Sequence, residues 1–163
     1  MILAHDLGTT GNKASLHDDS GRLITATTVD YGTDFRAGGV AEQSPDDWWD
    51  AVRQATRELI RTSGRSPEEV SGIVISGQMM GAVLLDEDYR PVRPAIIWAD
   101  DRSTAQTAHL LEQIPGADAY RELGHQLNPT YSITKVMWVR DNEPDVWRWV
   151  RHVCLAKDYV NYL

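Results

Sequence analysis

Asp6-Leu7-Gly8-Thr9-Thr10-Gly11-Asn12-Lys13 is the stretch whose reading decides the fold. Ile2 to Asp6 is short and apolar, Gly8 to Gly11 is turn chemistry, and Asn12 to His17 alternates small or polar with apolar residues. That order predicts strand, tight hairpin, strand. An acidic residue leaves a strand into a turn whose glycines let backbone amides approach a ligand and whose threonines add hydroxyl donors, and a lysine stands on the returning strand. Two readings share these residues. In one, successive N–H groups form a concavity for polyphosphate, Lys13 adds positive charge, and Asp6 holds Mg2+ through its water shell. In the other, the stretch is a glycine hairpin with a capping aspartate. It is not the Walker pattern, which needs Gly-Lys-Ser/Thr after four spacers, nor the dinucleotide fingerprint, because the chain returns as a strand instead of opening a helix.

Working outward, Asp18 to Gly21 is a polar turn and Arg22 to Asp30 resumes in Leu, Ile, Thr and Val, so three antiparallel neighbours are expected. Tyr31 to Val40 reads as a glycine-rich loop. Ser44-Pro45-Asp46-Asp47 combines an N-cap residue, proline at the first helical position and two carboxylates where the helix dipole favours them. Trp48, Val52, Ala55 and Leu59 give one buried stripe and Gly64 suits a left-handed C-cap, so a helix is expected from about Pro45 to Thr62. Ile73 to Ser76 and Ala82 to Asp86 read as strands joined by Gly77-Gln78-Met79-Met80-Gly81, a turn with exposed side chains. A hairpin turn at Asp86 to Arg90, a strand at Ala95 to Trp98, and a helix from Asp100 to about Ile114 stopped by Pro115-Gly116 follow. Helices near Ala117 to Gly124, Ser132 to Asn142 and Pro144 to Val150, a strand around His152 to Leu155 and a last helix from Lys157 complete an α/β pattern. That last helix stops after barely two turns with no cap, so an interrupted chain is expected.

The bulk numbers narrow the function. The 163 residues are 42% apolar and 25% charged, as in one ordinary globular domain, or part of one. Sixteen basic and twenty-four acidic side chains give a net charge of −8, with no basic run to follow a phosphate backbone, so nucleic acid is not an expected partner. No apolar run nears the roughly 20 residues of a membrane helix. The single Cys154 forms no internal bridge and no signal sequence opens the chain, which points to a soluble, cytoplasmic protein.

The order of segments adds more. The opening octet, Val40-Ala41-Glu42-Gln43-Ser44-Pro45-Asp46-Asp47-Trp48-Trp49, Ile75-Ser76-Gly77-Gln78-Met79-Met80-Gly81, and Pro94-Ala95-Ile96-Ile97-Trp98-Ala99-Asp100-Asp101-Arg102-Ser103 closely resemble the FGGY carbohydrate kinases, particularly the xylulokinase-like branch. Lys135-Val136-Met137-Trp138 looks like that family's K-x-x-W helix, and Lys157-Asp158-Tyr159-Val160 like its K-D-Y-L segment. The resemblance runs from Met1 to Leu163. It implies a ribonuclease-H-like, actin-like ATPase lobe with a mixed sheet and flanking helices, in a fold where a sugar and MgATP meet between two lobes. Residues 1–163 would then be a partial N-terminal domain. The rest of the first lobe, with the family's base aspartate, and the whole second lobe, with most of the adenosine pocket, would lie outside it, and this chain alone would be nearly inactive.

Carried over by position, Asp6 matches the magnesium-associated aspartate, and Gly8, Thr9, Thr10 and Lys13 match the first phosphate loop. Gln78, Met79 and Met80 match the substrate-side turn, and Asp100 the aspartate of Trp-x-Asp-x-Arg. The implied reaction moves the γ-phosphate of MgATP to a hydroxyl of a ketose or polyol. Many xylulokinases read Gly-Gln-Met-His-Gly where this chain has Met80, so a ring nitrogen for a sugar hydroxyl is missing and the acceptor sugar stays open. Asp100 has a rival role as helix cap. Arg102 reads better as an ion-pair partner than as a transition-state cation. His5 reads as a satisfied core histidine and no zinc is assigned. Trp48, Trp49, Trp138, Trp147 and Trp149 read as core, with Trp98 the exception beside the sugar turn. Glu42 and Gln43 read as rim residues of a polar loop. Two other classes compete with the kinase reading: a kinase-like lobe that only binds a sugar or a partner, and a piece of a larger chain whose exposed surface drives homo-oligomerisation.

Overall fold

A computed structural model describes residues 1–114 and 116–163. In chain order the elements are β1 (Ile2–Leu7), β2 (Gly11–His17), β3 (Leu23–Asp30), β4 (Asp34–Arg36), β5 (Val40–Gln43), α1 (Pro45–Ser63), β6 (Gly72–Gly77), β7 (Val83–Leu85) and β8 (Ala95–Ile96). Then come α2 (Thr104–Gln113), α3 (Gly116–Leu123), α4 (Ser132–Asn142), α5 (Pro144–Trp147), β9 (His152–Cys154) and α6 (Ala156–Tyr162). The chain divides into two compact units, one of Met1–Thr33, Ser44–Gln78 and Ala156–Leu163, the other of Asp34–Gln43 and Met79–Leu155.

The first unit is built on a four-stranded mixed sheet in the order β3-β2-β1-β6. The hairpin is where the turn chemistry puts it, with Leu7 opposite Asn12 and Asp6 opposite Lys13, and β3 pairs antiparallel with β2. β6 joins β1 in parallel, which requires a crossover, and α1 is that crossover. Alternation along β1 and β2 turns Leu3, Ala14 and Leu16 to one face, where they pack with Met1 and with Ala55 and Leu59 of α1. Burying a side chain of this size stabilises by about 1.5–3 kcal/mol, so this stripe holds the helix down. α1 has proline at its start, Asp46 and Asp47 in its first turn and Gly64 at φ 65° as C-cap, though the Ser44 side chain makes no capping bond. His5 is buried in this core. The Asn12 amide donates to its Nδ1 at 3.0 Å, so the ring proton sits on Nε2 and is given to Thr56 Oγ1 at 3.2 Å.

The second unit holds a three-stranded sheet, β4-β5-β8, and the pair β7-β9, all antiparallel. Ala82, Leu84, Ile96 and Val139 form its core, with Trp138 and Trp147 packed against them. Several expectations give way here. The stretch read as loop from Tyr31 to Val40 contains β4, because Gly38 and Gly39, at φ 82° and 77°, make a tight hairpin back to β5. Glu42 and Gln43 are therefore buried strand residues, not a rim. α2 begins at Thr104 with Ser103 before it, not at Asp100, whose carboxylate is occupied elsewhere. Pro115, assigned the role of ending that helix, lies outside the described residues. Trp149 is 57% exposed beneath the Arg148 guanidinium and is not core.

Candidate functional site

In the first unit the strand alternation that buries Leu3, His5 and Leu7 places Asp6 on the opposite, open face of the sheet. Lys13, its cross-strand partner, lies on the same face. A groove of about 570 Å³ there is lined by Ala4, Asp6, Lys13, Ser15, Thr28 and Ser76 among others, mostly small side chains that leave the sheet surface accessible. The turn itself is tightly built. A Cβ on Gly11 would stand 2.8 Å from the Val29 carbonyl oxygen and 2.9 Å from Asp30 Oδ1, so only glycine fits. Gly8 N–H is bonded to the Gly11 carbonyl at 3.0 Å, closing the loop.

The three carbonyls between the strands all have donors from one short segment. Tyr31 Oη–H donates to Gly8 O at 2.6 Å, Thr33 Oγ1–H to Thr9 O at 3.4 Å, and Tyr31 N–H to Thr10 O at 3.1 Å. No peptide bond among the described residues is cis. In a trans peptide the N–H runs antiparallel to the C=O, so the amides of Thr9, Thr10 and Gly11 are turned away from that segment. An anion cradle needs such amides also to converge on one point.

Among the described residues no three of His, Cys, Asp and Glu come together as a metal cage. A lone carboxylate suits Mg2+ that keeps most of its waters and takes its remaining ligands from phosphate, and does not suit a dehydrated ion. Asp6 fits that limited role.

Gln78 ends the middle segment of the first unit, and its N–H continues the ladder to Leu7 O at 2.8 Å, which ties it to the end of β1. Met79, Met80 and Asp100 belong to the second unit. Met79 is 62% exposed, and Met80 sits at φ 62°, a left-handed conformation that a side chain rarely adopts. Gly81 follows because a Cβ there would meet the Ile96 carbonyl oxygen at 3.0 Å. Ser132 Oγ–H fixes the Gly81 carbonyl at 2.7 Å. Trp98 is 41% exposed, the open aromatic the sequence singles out.

Asp100 is fully buried and both its oxygens are engaged: Oδ2 accepts the Ala41 N–H at 2.7 Å, and Arg102 Nε reaches Oδ1 at 3.0 Å and Oδ2 at 2.9 Å. Arg102 also pairs with Glu42 at 2.7 Å and lies over the Trp138 ring at 4.8 Å, the structural role expected of it. Glu42 is the centre of this network, bonded to Arg36, Arg93 and Arg102. Lys135 donates from a fully buried Nζ to the carbonyls of Asp100 at 3.0 Å, Pro129 at 2.9 Å and Thr130 at 2.6 Å. Burial draws its pKa down to about 8, against the pull of the Asp100 charge. Sequence reasoning missed Arg93, Tyr31 and Thr33, took Glu42 for a rim residue, and read Lys135 only as the lysine of the K-x-x-W helix.

The first unit's mixed sheet and crossover helix, together with the solved structures that it matches, give the actin-like, ribonuclease-H-like fold class. The family model described as the FGGY family of carbohydrate kinases, N-terminal domain, matches residues 1–163, and the chain belongs to that family. It is 32% identical over 160 residues to a xylulose kinase of Lactococcus lactis, covering 98% of this chain and 32% of the relative. To the xylulose kinase of Escherichia coli it is 33% identical over 160 residues, with the same coverage. Among solved structures, a xylulose kinase from Rhodospirillum rubrum superposes with TM-score 0.92 at 28% identity, over 98% of this chain and 33% of that one. One from Brucella ovis gives 0.88 at 37% identity, over 98% and 33%. The chain thus spans about a third of the length of these relatives.

Proposed function

We propose that this chain is the phosphate-cradling and sugar-contacting part of an ATP-dependent sugar kinase, which moves the γ-phosphoryl group of MgATP to a hydroxyl of a ketose or polyol. What supports this is the turn: the carbonyls of Gly8, Thr9 and Thr10 are tied to Tyr31 and Thr33, so the amides of Thr9, Thr10 and Gly11 point away from that segment, and Asp6 and Lys13 are cross-strand partners on the open face. In phosphoryl transfer the protein chiefly positions reactants and neutralises charge. The amides and Lys13 Nζ hold terminal phosphate oxygens, and Asp6 orients the water shell of Mg2+. Magnesium, when bound, offsets charge on the β- and γ-phosphates. Met79, Met80 and Trp98 face the acceptor. Asp100 holds Arg102 and the Ala41 amide and so acts as a positioning residue rather than a hydroxyl acceptor, because neither of its oxygens is left for a sugar.

Met80 offers the sugar a thioether and methylenes where a ring nitrogen would bond a hydroxyl. The reading therefore favours an acceptor with a hydrogen or an apolar group at that position over xylulose itself. The base that takes the hydroxyl proton is not among residues 1–163 in this reading, and its lack costs about 10²- to 10⁴-fold in rate. The test is ADP release by the 163-residue chain against a panel of ketoses and polyols, with MgATP binding followed by calorimetry. MgATP binding without turnover is expected. Turnover clearly above an Asp6→Ala control contradicts the division of labour, and absence of MgATP binding contradicts the phosphate site.

A further inference from the structure

We infer that Tyr31, assisted by Thr33, is a positioning residue for phosphate: it clamps the turn from behind and fixes which way the peptide units of the Gly8–Gly11 loop face. The inference rests on reading that turn as a polyphosphate site, and it assigns a task to a segment outside the glycine motif. β3 ends at Asp30, which pairs with Gly11, so Tyr31 emerges directly behind the turn. From there one residue grips two carbonyls, Gly8 O through its hydroxyl at 2.6 Å and Thr10 O through its N–H at 3.1 Å. Thr33 takes the carbonyl between them, Thr9 O, at 3.4 Å.

The need for such a clamp follows from the loop's composition. Glycines at both ends leave the peptide units free to rotate, and a unit flipped by half a turn would aim a carbonyl oxygen at a phosphate oxygen, replacing attraction with repulsion. Holding the carbonyls from the back removes the flipped state before the anion arrives, which is preorganisation rather than contact. Tyr31 suits the task. Its ring is rigid, and burial together with the nearby Asp6 charge pushes its pKa above the ordinary phenol value, so the hydroxyl stays a donor at neutral pH. Because its bond is to a loop carbonyl, the hydroxyl acts through the loop.

The experiment is a titration of the ¹⁵N-labelled 163-residue chain with inorganic tripolyphosphate and Mg2+, read at the amides of Thr9, Thr10 and Gly11. Saturable shifts at these three amides are expected for the wild type. Tyr31→Phe keeps the ring and removes one carbonyl anchor, and should weaken binding about 3- to 10-fold at the same amides. Thr33→Val keeps Tyr31 intact and should weaken it about 2-fold, since its bond is long, and it carries the test if the first variant does not fold. A lower melting temperature with unchanged affinity in the variants is the signature of a role in folding alone and would overturn the inference while leaving the phosphate site standing. No saturable shift in the wild type overturns both.

Discussion

Gly11 tolerates no side chain, because a Cβ would press on the Val29 carbonyl and the Asp30 carboxylate of β3. Gly11→Ala should therefore lower stability by about 1–3 kcal/mol, seen as a reduced denaturant midpoint with an unchanged slope. Met80 is the opposite case, a side chain held where glycine is easier. Met80→Gly should relieve about 1 kcal/mol of left-handed strain, less what glycine adds in chain entropy, so stability is expected to change little while sugar selectivity broadens. Met80→His restores a ring nitrogen and should raise affinity for xylulose relative to the wild type in calorimetry; unchanged affinity would remove Met80 from the acceptor site. His5 sets an acid limit. Burial lowers its pKa, so the folded ring stays neutral where the unfolded one takes up a proton. Stability should fall as pH drops below 6.5, and His5→Gln should flatten that part of the pH profile.

Among the elements, those encoded locally were legible from sequence. The β1–β2 hairpin and α1 carry their instructions within a few residues: glycines at the turn, proline and acids at the helix start, a stripe at Trp48, Val52, Ala55 and Leu59, and Gly64 at the end. The β4–β5 hairpin was legible in principle from Gly38-Gly39, but its strands are too short for periodicity to register. The charge network was not legible, because Glu42 finds Arg93 from 51 residues away and no spacing rule links β5 to the segment before β8. For the same reason Asp100 read equally well as cap or sugar ligand, until the Ala41 amide and Arg102 accounted for both its oxygens. Of the opening turn, the residue types were readable and the direction of the amides was not, since that depends on the bonds to Tyr31 and Thr33. α4 depends on Lys135, which ties it to Asp100, Pro129 and Thr130. Lys135→Met should cost about 2–4 kcal/mol by stranding three carbonyls. With the folded pKa near 8 and the unfolded value at 10.5, the unfolded chain binds the extra proton in between, so this group makes stability rise with pH from about 8 to 10.5. Loss of that rise in Lys135→Met is the check, by urea titrations across the window.

For the whole molecule, the chain belongs to the FGGY carbohydrate kinases and spans about a third of the length of its relatives. No helix among the described residues is long and apolar enough to cross a membrane. Asp6→Ala should weaken binding of MgATP far more than binding of Mg-free tripolyphosphate, since the carboxylate acts through the ion's waters. Equal losses would assign Asp6 to the fold instead. The central claim concerns the opening hairpin, and a crystal structure of the chain grown with Mg2+ and a non-hydrolysable ATP analogue tests it most directly. Terminal phosphate oxygens about 3 Å from the Thr9 and Thr10 nitrogens, with Lys13 Nζ alongside, is the predicted result. A nucleotide bound elsewhere, with those amides facing protein or bulk water, would contradict it.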